Sequence, residues 1–334
     1  MRKSLRCFGP KNIAILFVLS TCWAVIFYYI ELNTESKALM SARRHNYTIY
    51  SKEDNVHIYE MPPVLGREDI RGSANCVQNK PDVVMIGVPK CGTGSVRTFL
   101  NEHPNIAMEM NSEGVQYFNA RYMRGNEWYV SQMPCSQPGQ ITIENSAQYF
   151  ASDVAPLRMY RYNPDMKLIV TIRNPIKRLV SEFVQMTVGR PQFLSGLSVE
   201  ENILHQTTGK VNDKKTIVAK SMYIKYIKQW MKFFSPKQIH IVDGDEFALN
   251  PVKELQELER FLGIKPYFTK SHFALVKERG FFCLKRPNGV ECLEKGKGRA
   301  HPNVSPAILS MLRIFFTPYN EELFALMGRR LDWN

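Results

Sequence analysis

A chain of 334 residues is long enough to bury one large core. Its 44% hydrophobic and 11% aromatic content excludes collagen-like, coiled-coil and wholly disordered classes. Lys and Arg number 44 against 31 Asp and Glu, a net charge of +13, which favours polyanionic partners (nucleotide, anionic lipid, nucleic acid, acidic glycan) without choosing among them.

At the N-terminus, Arg2, Lys3, Arg6 and Lys11 precede an uncharged run from Ile13 to Ile30. A run of about 18 apolar residues is long enough to span a bilayer. Trp23, Tyr28 and Tyr29 suit the interface, and the basic flank predicts a cytosolic N-terminus. A cleaved signal peptide would carry about 7–15 apolar residues and a small-residue cleavage site; the bulky end of this run favours a retained anchor. The expected organisation is a cytoplasmic tail over 1–12, a transmembrane signal anchor over 13–30, a polar lumenal stem over 31–78 and one folded domain over 79–334. Asn46-Tyr47-Thr48 is a glycosylation sequon in the stem, and Asn303-Val304-Ser305 is a second, followed at once by Pro306.

Lumenal placement puts Cys76, Cys91, Cys135, Cys283 and Cys292 in an oxidising compartment. No CxxC pair or Cys/His cluster has zinc-like spacing, so no metal site is expected. Cys283 and Cys292 enclose a short loop with Pro287-Asn288-Gly289 at its tip, which predicts a hairpin stapled by a disulfide. A Cys76–Cys135 pair is allowed, although nothing local supports it.

From Asp82 onward the pattern becomes that of strands alternating with helices. Val83–Ile86 is a continuous apolar run of the kind found in a buried parallel strand, followed by a glycine-bounded loop and a helix over 94–101 that stops at His103-Pro104. Lys167–Ile172 repeats the pattern, with Asn174-Pro175 opening a helix to about Gln185. Residues 218–234 are helical in period; Ile239–Val242 is a third strand, and Asn250-Pro251 opens a helix that stops at Gly263. The fold class is α/β: one domain with a central, mostly parallel sheet flanked by helices.

Three segments carry candidate chemistry. Gly87-Val-Pro-Lys90-Cys91-Gly92-Thr93 joins a strand to a helix, where glycines admit close approach and the helix N-terminus offers N–H groups to an anion. It departs from the Walker pattern because Lys90 lies inside the loop and only Thr93 follows Gly92. Two readings compete, a tight turn with a solvated lysine and a cation poised to neutralise a leaving group. Arg173 ends a buried strand, where ligands gather in open α/β sheets, and Ser181 follows two helical turns later. Taken alone, both also fit ordinary surface positions. Lys295-Gly-Lys297-Gly298-Arg299-Ala300-His301 is a glycine-spaced basic run able to wrap a phosphate, or else a basic loop with no role.

In order and spacing, the Lys90 loop, Arg173-Asn-Pro with Ser181, Ile-His-Ile-Val-Asp-Gly-Asp, Phe281-Phe-Cys283 to Cys292-Leu, Lys297-Gly-Arg299-Ala-His301-Pro and the closing Gly328-Arg-Arg-Leu-Asp-Trp333 resemble the heparan sulfate glucosamine 3-O-sulfotransferases. The likeness spans roughly residues 80 to 334. It implies a P-loop-like sulfotransferase domain in the Golgi lumen on a single-pass type II anchor, with a Cys283–Cys292 disulfide. The donor would be 3′-phosphoadenosine 5′-phosphosulfate and the partner an acidic, heparan sulfate-like polysaccharide rather than nucleic acid. Lys90, Cys91, Gly92, Thr93 and Gly94 would hold the 5′-phosphosulfate, Arg173 and Ser181 the 3′-phosphate, and Lys297, Gly298, Arg299, Ala300 and His301 the nucleotide from the other side. Lysine, arginine and backbone N–H groups would stabilise the transferring group, so no metal is required.

The acceptor side departs from that family. Its Glu-Val-His-Phe-Phe-Asp loop, with Glu as base, corresponds here to Glu113-Gly-Val-Gln116-Tyr-Phe-Asn119, with one extra residue. The family arginine after the loop threonine is Gly94, the lysine of its Glu-Lys-Thr-Pro segment is Asn145, and its groove glutamine is kept as Gln185. Gln116, Asn145 and Gln185 are therefore the expected acceptor contacts, with Glu113 the first candidate base and Glu144 the second. Two other readings compete: a relative that binds polysaccharide without catalysis, and a metal-dependent glycosyltransferase using Asp243-Gly244-Asp245 as its carboxylate pair.

Overall fold

The structure, a computed structural model, describes residues 76–189, 198–278, 280–292 and 302–333. The expected anchor at 13–30, the stem up to residue 75, the Asn46 sequon and the basic loop Lys297–His301 lie outside them. Among the described residues no helix is long and apolar enough to cross a membrane.

The strands are β1 (Val77–Gln78), β2 (Val83–Gly87), β3 (Ile106–Met108), β4 (Cys135–Ser136), β5 (Ile141–Asn145), β6 (Lys167–Ile172), β7 (Ile239–Asp243), β8 (Phe273–Val276), β9 (Phe281–Arg286) and β10 (Gly289–Glu291). The helices are α1 (Thr93–Leu100), α2 (Gly125–Ser131), α3 (Ala155–Tyr162), α4 (Pro175–Gly189), α5 (Val199–Ile203), α6 (Thr216–Ala219), α7 (Tyr223–Trp230), α8 (Gly244–Leu249), α9 (Pro251–Leu262) and α10 (Pro306–Met327).

Five strands form a parallel sheet in the order β3-β5-β2-β6-β7. Its middle strand β2 is buried at every position, because helices cover both faces. Successive side chains point to opposite faces, so Val84 and Ile86 join Leu168, Val170 and Ile172 in one core, while Val83 and Met85 join Ile143, Ile169 and Val242 in the other. Truncating one of the leucine, isoleucine or methionine side chains among these to alanine would cost about 2–5 kcal/mol. A third cluster packs Leu179 and Phe183 of α4 against Ile203 and against Leu312 and Phe316 of α10.

The expected helix over 218–234 is broken in two. Arg178, buried on α4, donates to Ile217 O at 2.9 Å and to Ser221 Oγ at 2.8 Å, which satisfies groups at the end of α6. The chain restarts at Tyr223, and the Tyr223 hydroxyl donates to Arg173 O at 2.9 Å. Asn174 caps α4 as expected, its Oδ1 accepting from Ile176 N at 2.9 Å, and the helix runs four residues past Gln185 to Gly189.

Both disulfides are formed. Cys283 is joined to Cys292 across the antiparallel β9–β10 hairpin, and Cys76 to Cys135 beside the short β1–β4 pair. The second bridge ties residues 76–78 to the folded unit.

Candidate active site

The sheet's C-terminal edge opens into a cavity of about 780 Å³. Open parallel sheets gather ligands there, because loops leaving adjacent strands diverge and the helices that follow present their N-termini. Lys90 to Gly94, Glu113, Gln116, Asn145, Arg173 and Ser181 all line it. Residues as far apart in the chain as Lys90 and Ser181 thus meet in one place. Lys297–His301 lie outside the described residues.

The loop after β2 is held by contacts on several sides. Lys90 adopts φ 74°, a left-handed conformation that disfavours a side chain. Its carbonyl accepts from Arg173 Nη1 at 3.3 Å, and the preceding Pro89 carbonyl accepts from Arg178 Nε at 3.2 Å. Its ammonium donates to Gln185 Oε1 at 3.3 Å, so the kept glutamine positions the lysine head. Gly244 underlies the same loop: a Cβ there would run into the Cys91 carbonyl oxygen and lie 3.0 Å from Ile172 O. Gly92 (φ 93°) begins α1 with no side-chain cap and no acidic residue in the first turn. The first amides of α1 have no intrahelical acceptor and leave positive potential at the cavity. The Cys91 thiol faces inward, 3.5 Å from Tyr223 Oη, and burial pushes its pKa up to about 11, so Cys91 offers the cavity its backbone only.

The Asp243-Gly-Asp245 carboxylates serve the fold. Asp243 Oδ1 caps α8, accepting from Asp245 N at 3.0 Å and Glu246 N at 3.2 Å. Asp245 accepts from Asn174 N at 2.7 Å and lies 3.4 Å from Lys177 Nζ and 3.7 Å from Arg173 Nε. Arg173 Nε makes no hydrogen bond and has Asp245 as its ion-pair partner, so the side chain is held at the cavity by Asp245 and by its own bond to the Lys90 carbonyl. Among the described residues no group of three or more His, Cys, Asp or Glu is placed to hold a metal ion.

On the acceptor side, Gln116 and Asn119 are bonded to each other, Asn119 Nδ2 donating to Gln116 Oε1 at 2.9 Å, while Gln116 Nε2 donates to Glu113 O at 2.8 Å. Both amides brace the loop without carrying charge. Asn145 ends β5 with a buried Oδ1 that lacks a partner. Glu113 is exposed on the cavity wall, whereas Glu144 is fully buried. Tyr129 donates to Glu144 Oε2 at 2.7 Å and Ser146 donates to its Oε1. Glu144 does not line the cavity, so the second-choice base is a structural carboxylate.

Burial pushes the Glu144 pKa up to about 7 against the donated hydrogen bonds. A carboxyl raised in the fold contributes stability fully at pH below its unfolded value, and that stability is lost as pH rises through the folded value. Relative to a Glu144→Gln variant, the melting temperature of the unsubstituted chain is therefore expected to fall between about pH 4.5 and 7 and then level off. Paired thermal melts across that range check it; a constant gap would mean that Glu144 titrates as in water.

Residues 80–299 match the family model described as "Sulfotransferase domain". Over 288 residues the chain is 35% identical to heparan sulfate glucosamine 3-O-sulfotransferase 5 of Mus musculus, covering 85% of this chain and 78% of the relative. The Homo sapiens protein of that name is 37% identical over 262 residues, covering 77% and 75%. A solved sulfotransferase from Alicyclobacillus acidocaldarius superposes with a TM-score of 0.56 at 21% identity, covering 76% of this chain and 98% of its own, a likeness of fold. The chain belongs to the heparan sulfate glucosamine 3-O-sulfotransferase family.

Proposed function

We propose that the protein transfers the sulfuryl group of 3′-phosphoadenosine 5′-phosphosulfate to a glucosamine 3-hydroxyl of heparan sulfate. The observation that carries this reading is the convergence of Lys90, the uncapped start of α1, Arg173 and Ser181 on one cavity at the sheet edge. The donor set fits the nucleotide: the Arg173 guanidinium and the amides of α1 line the same cavity and suit two separate anionic groups. Lys90 to Gly94 would hold the phosphosulfate end, and Arg173 with Ser181 the 3′-phosphate.

The reaction is an in-line displacement. Glu113 takes the proton of the acceptor hydroxyl, the acceptor oxygen bonds to sulfur, and the sulfur–oxygen bond to the 5′-phosphate breaks. Lys90 and the loop amides stabilise the charge that builds on the departing 3′-phosphoadenosine 5′-phosphate. A Golgi lumenal location on the 13–30 anchor agrees with the two disulfides, which form in oxidising compartments.

A second reading, polysaccharide binding without transfer, is favoured by the neutral Gln116–Asn119 pair and by Asn145. Incubation with labelled donor and heparan sulfate, followed by disaccharide analysis, separates the two. Transfer to a glucosamine 3-position supports the enzyme. Binding of nucleotide and glycan with no transfer supports the second reading, and no nucleotide affinity sinks the first.

A further inference from the structure

Two arginines line the acceptor side of the cavity at positions that none of the family-like motifs covers. Arg97 sits on α1 three residues after Gly94, hence on the same helix face one turn further along. Its Nη1 donates to Asn111 O at 2.7 Å, while its buried Nε has no hydrogen-bond partner. Arg121, exposed, donates from Nη1 to Val115 O at 2.9 Å. Asn111 and Val115 bracket Glu113, so one guanidinium braces each side of the candidate base.

A guanidinium has five N–H donors, and each of these two gives one hydrogen bond to the backbone. Neither is in an ion pair among the described residues. The carboxyl whose titration Arg97 influences is Glu109, buried behind the wall, and burial raises its pKa, which weakens it as a counter-charge. Both arginines line a cavity in which the two expected cation positions, 94 and 145, hold glycine and asparagine.

We propose that Arg97 and Arg121 form an anion-reading subsite, binding sulfate or carboxylate groups on the sugar rings that flank the reacting hydroxyl. Positive charge lost at two positions is thereby restored at two others along the same wall, with a planar fork suited to bidentate contact. The inference rests on the acceptor being an acidic polysaccharide, as proposed above.

The test measures binding of a sulfated heparin octasaccharide to the full-length chain in detergent across a salt series, alongside binding of adenosine 3′,5′-bisphosphate. Arg97→Gln and Arg121→Gln are each expected to weaken octasaccharide binding by about tenfold. Each should also reduce the slope of log affinity against log salt by about one, with nucleotide affinity within about twofold of the starting value. Arg97→Lys should keep the salt slope while losing part of the affinity. Unchanged octasaccharide affinity and slope in both glutamine variants would overturn the subsite. If Arg97→Gln also loses nucleotide affinity through misfolding, the exposed Arg121 variant decides alone. Because the readout is binding, absence of sulfate transfer by the unsubstituted chain would count against the proposed reaction and leave this result intact.

Discussion

Replacing Lys90 by glycine or alanine is expected to lower sulfate transfer by about 100- to 1000-fold or more, the loss typical for one preorganised group facing developing charge. The two variants separate chemistry from folding. At φ 74° an alanine keeps the strain of a left-handed side-chain-bearing residue, whereas glycine relieves it. That relief offsets the unfolded-state entropy that glycine adds, about 0.4–1 kcal/mol. The glycine variant should therefore melt close to the unsubstituted protein. Single-turnover transfer from labelled donor, with parallel thermal melts, reads both quantities. Near-normal turnover in either variant would rule out the role given to Lys90.

The strain at Lys90 also bears on how the site is built. Left-handed backbone at a lysine persists only where the surroundings dictate it. Here Arg173, Arg178 and Gly244 all hold the loop, through the Lys90 carbonyl, the Pro89 carbonyl and close backbone approach respectively. Arg178 is fully buried, paired with Glu182 and hydrogen-bonded to Ser221 Oγ. Truncating it would leave the half-buried Glu182 carboxylate with Lys220 alone as its cation, and would free the loop.

Those contacts were only partly legible from the chain. Strands β2 and β6 show in the sequence because strands buried on both faces read as apolar runs, the edge strand β7 shows through Ile239, Ile241 and Val242, and Asn-Pro and Gly263 mark helix boundaries by backbone chemistry alone. Strand β5 was missed because its last two residues, Glu144 and Asn145, are polar, and the burial of Glu144 depends on hydrogen bonds from the neighbouring Ser146 and from the distant Tyr129. The 22-residue helix α10 was missed because Pro318 interrupts its apolar period. Cys76 and Cys135, 59 residues apart, meet beside strands of two residues each, too short to leave a pattern.

The donor-side residues were recoverable because the end of a parallel strand is a fixed place in this architecture, and the pairing of β2 with β6 makes Lys90 and Arg173 neighbours. Arg97 and Arg121 were not found in the sequence. Arg97 left one usable signal: it stands one turn beyond the glycine where a cation was missing. Arg121 left none, since its position depends on the path of the 111–121 segment.

Glu113→Gln is expected to reduce turnover by about 100- to 10,000-fold, the range for loss of a positioned base, while nucleotide and octasaccharide affinities stay nearly unchanged. The backbone around Glu113 is fixed: Asn111 Oδ1 accepts from Glu113 N at 3.0 Å, and Gln116 Nε2 donates to Glu113 O at 2.8 Å. Gly114 follows at φ 74°, where a Cβ would lie 2.5 Å from Asn145 O and 2.7 Å from Ser146 Oγ. The extra residue of this loop is thus accommodated by a glycine pressed against the end of β5, which leaves the Glu113 side chain on the cavity wall. Glu144 is the control. Fully buried, with both oxygens engaged, it cannot reach an acceptor in the cavity, so Glu144→Gln should shift stability with pH and leave the turnover of folded protein largely intact. A steady-state comparison of the two variants, with Arg121→Gln as a third, divides the wall into base, support and binding. The base sits elsewhere if Glu113→Gln turns over normally while Glu144→Gln, still folded, does not.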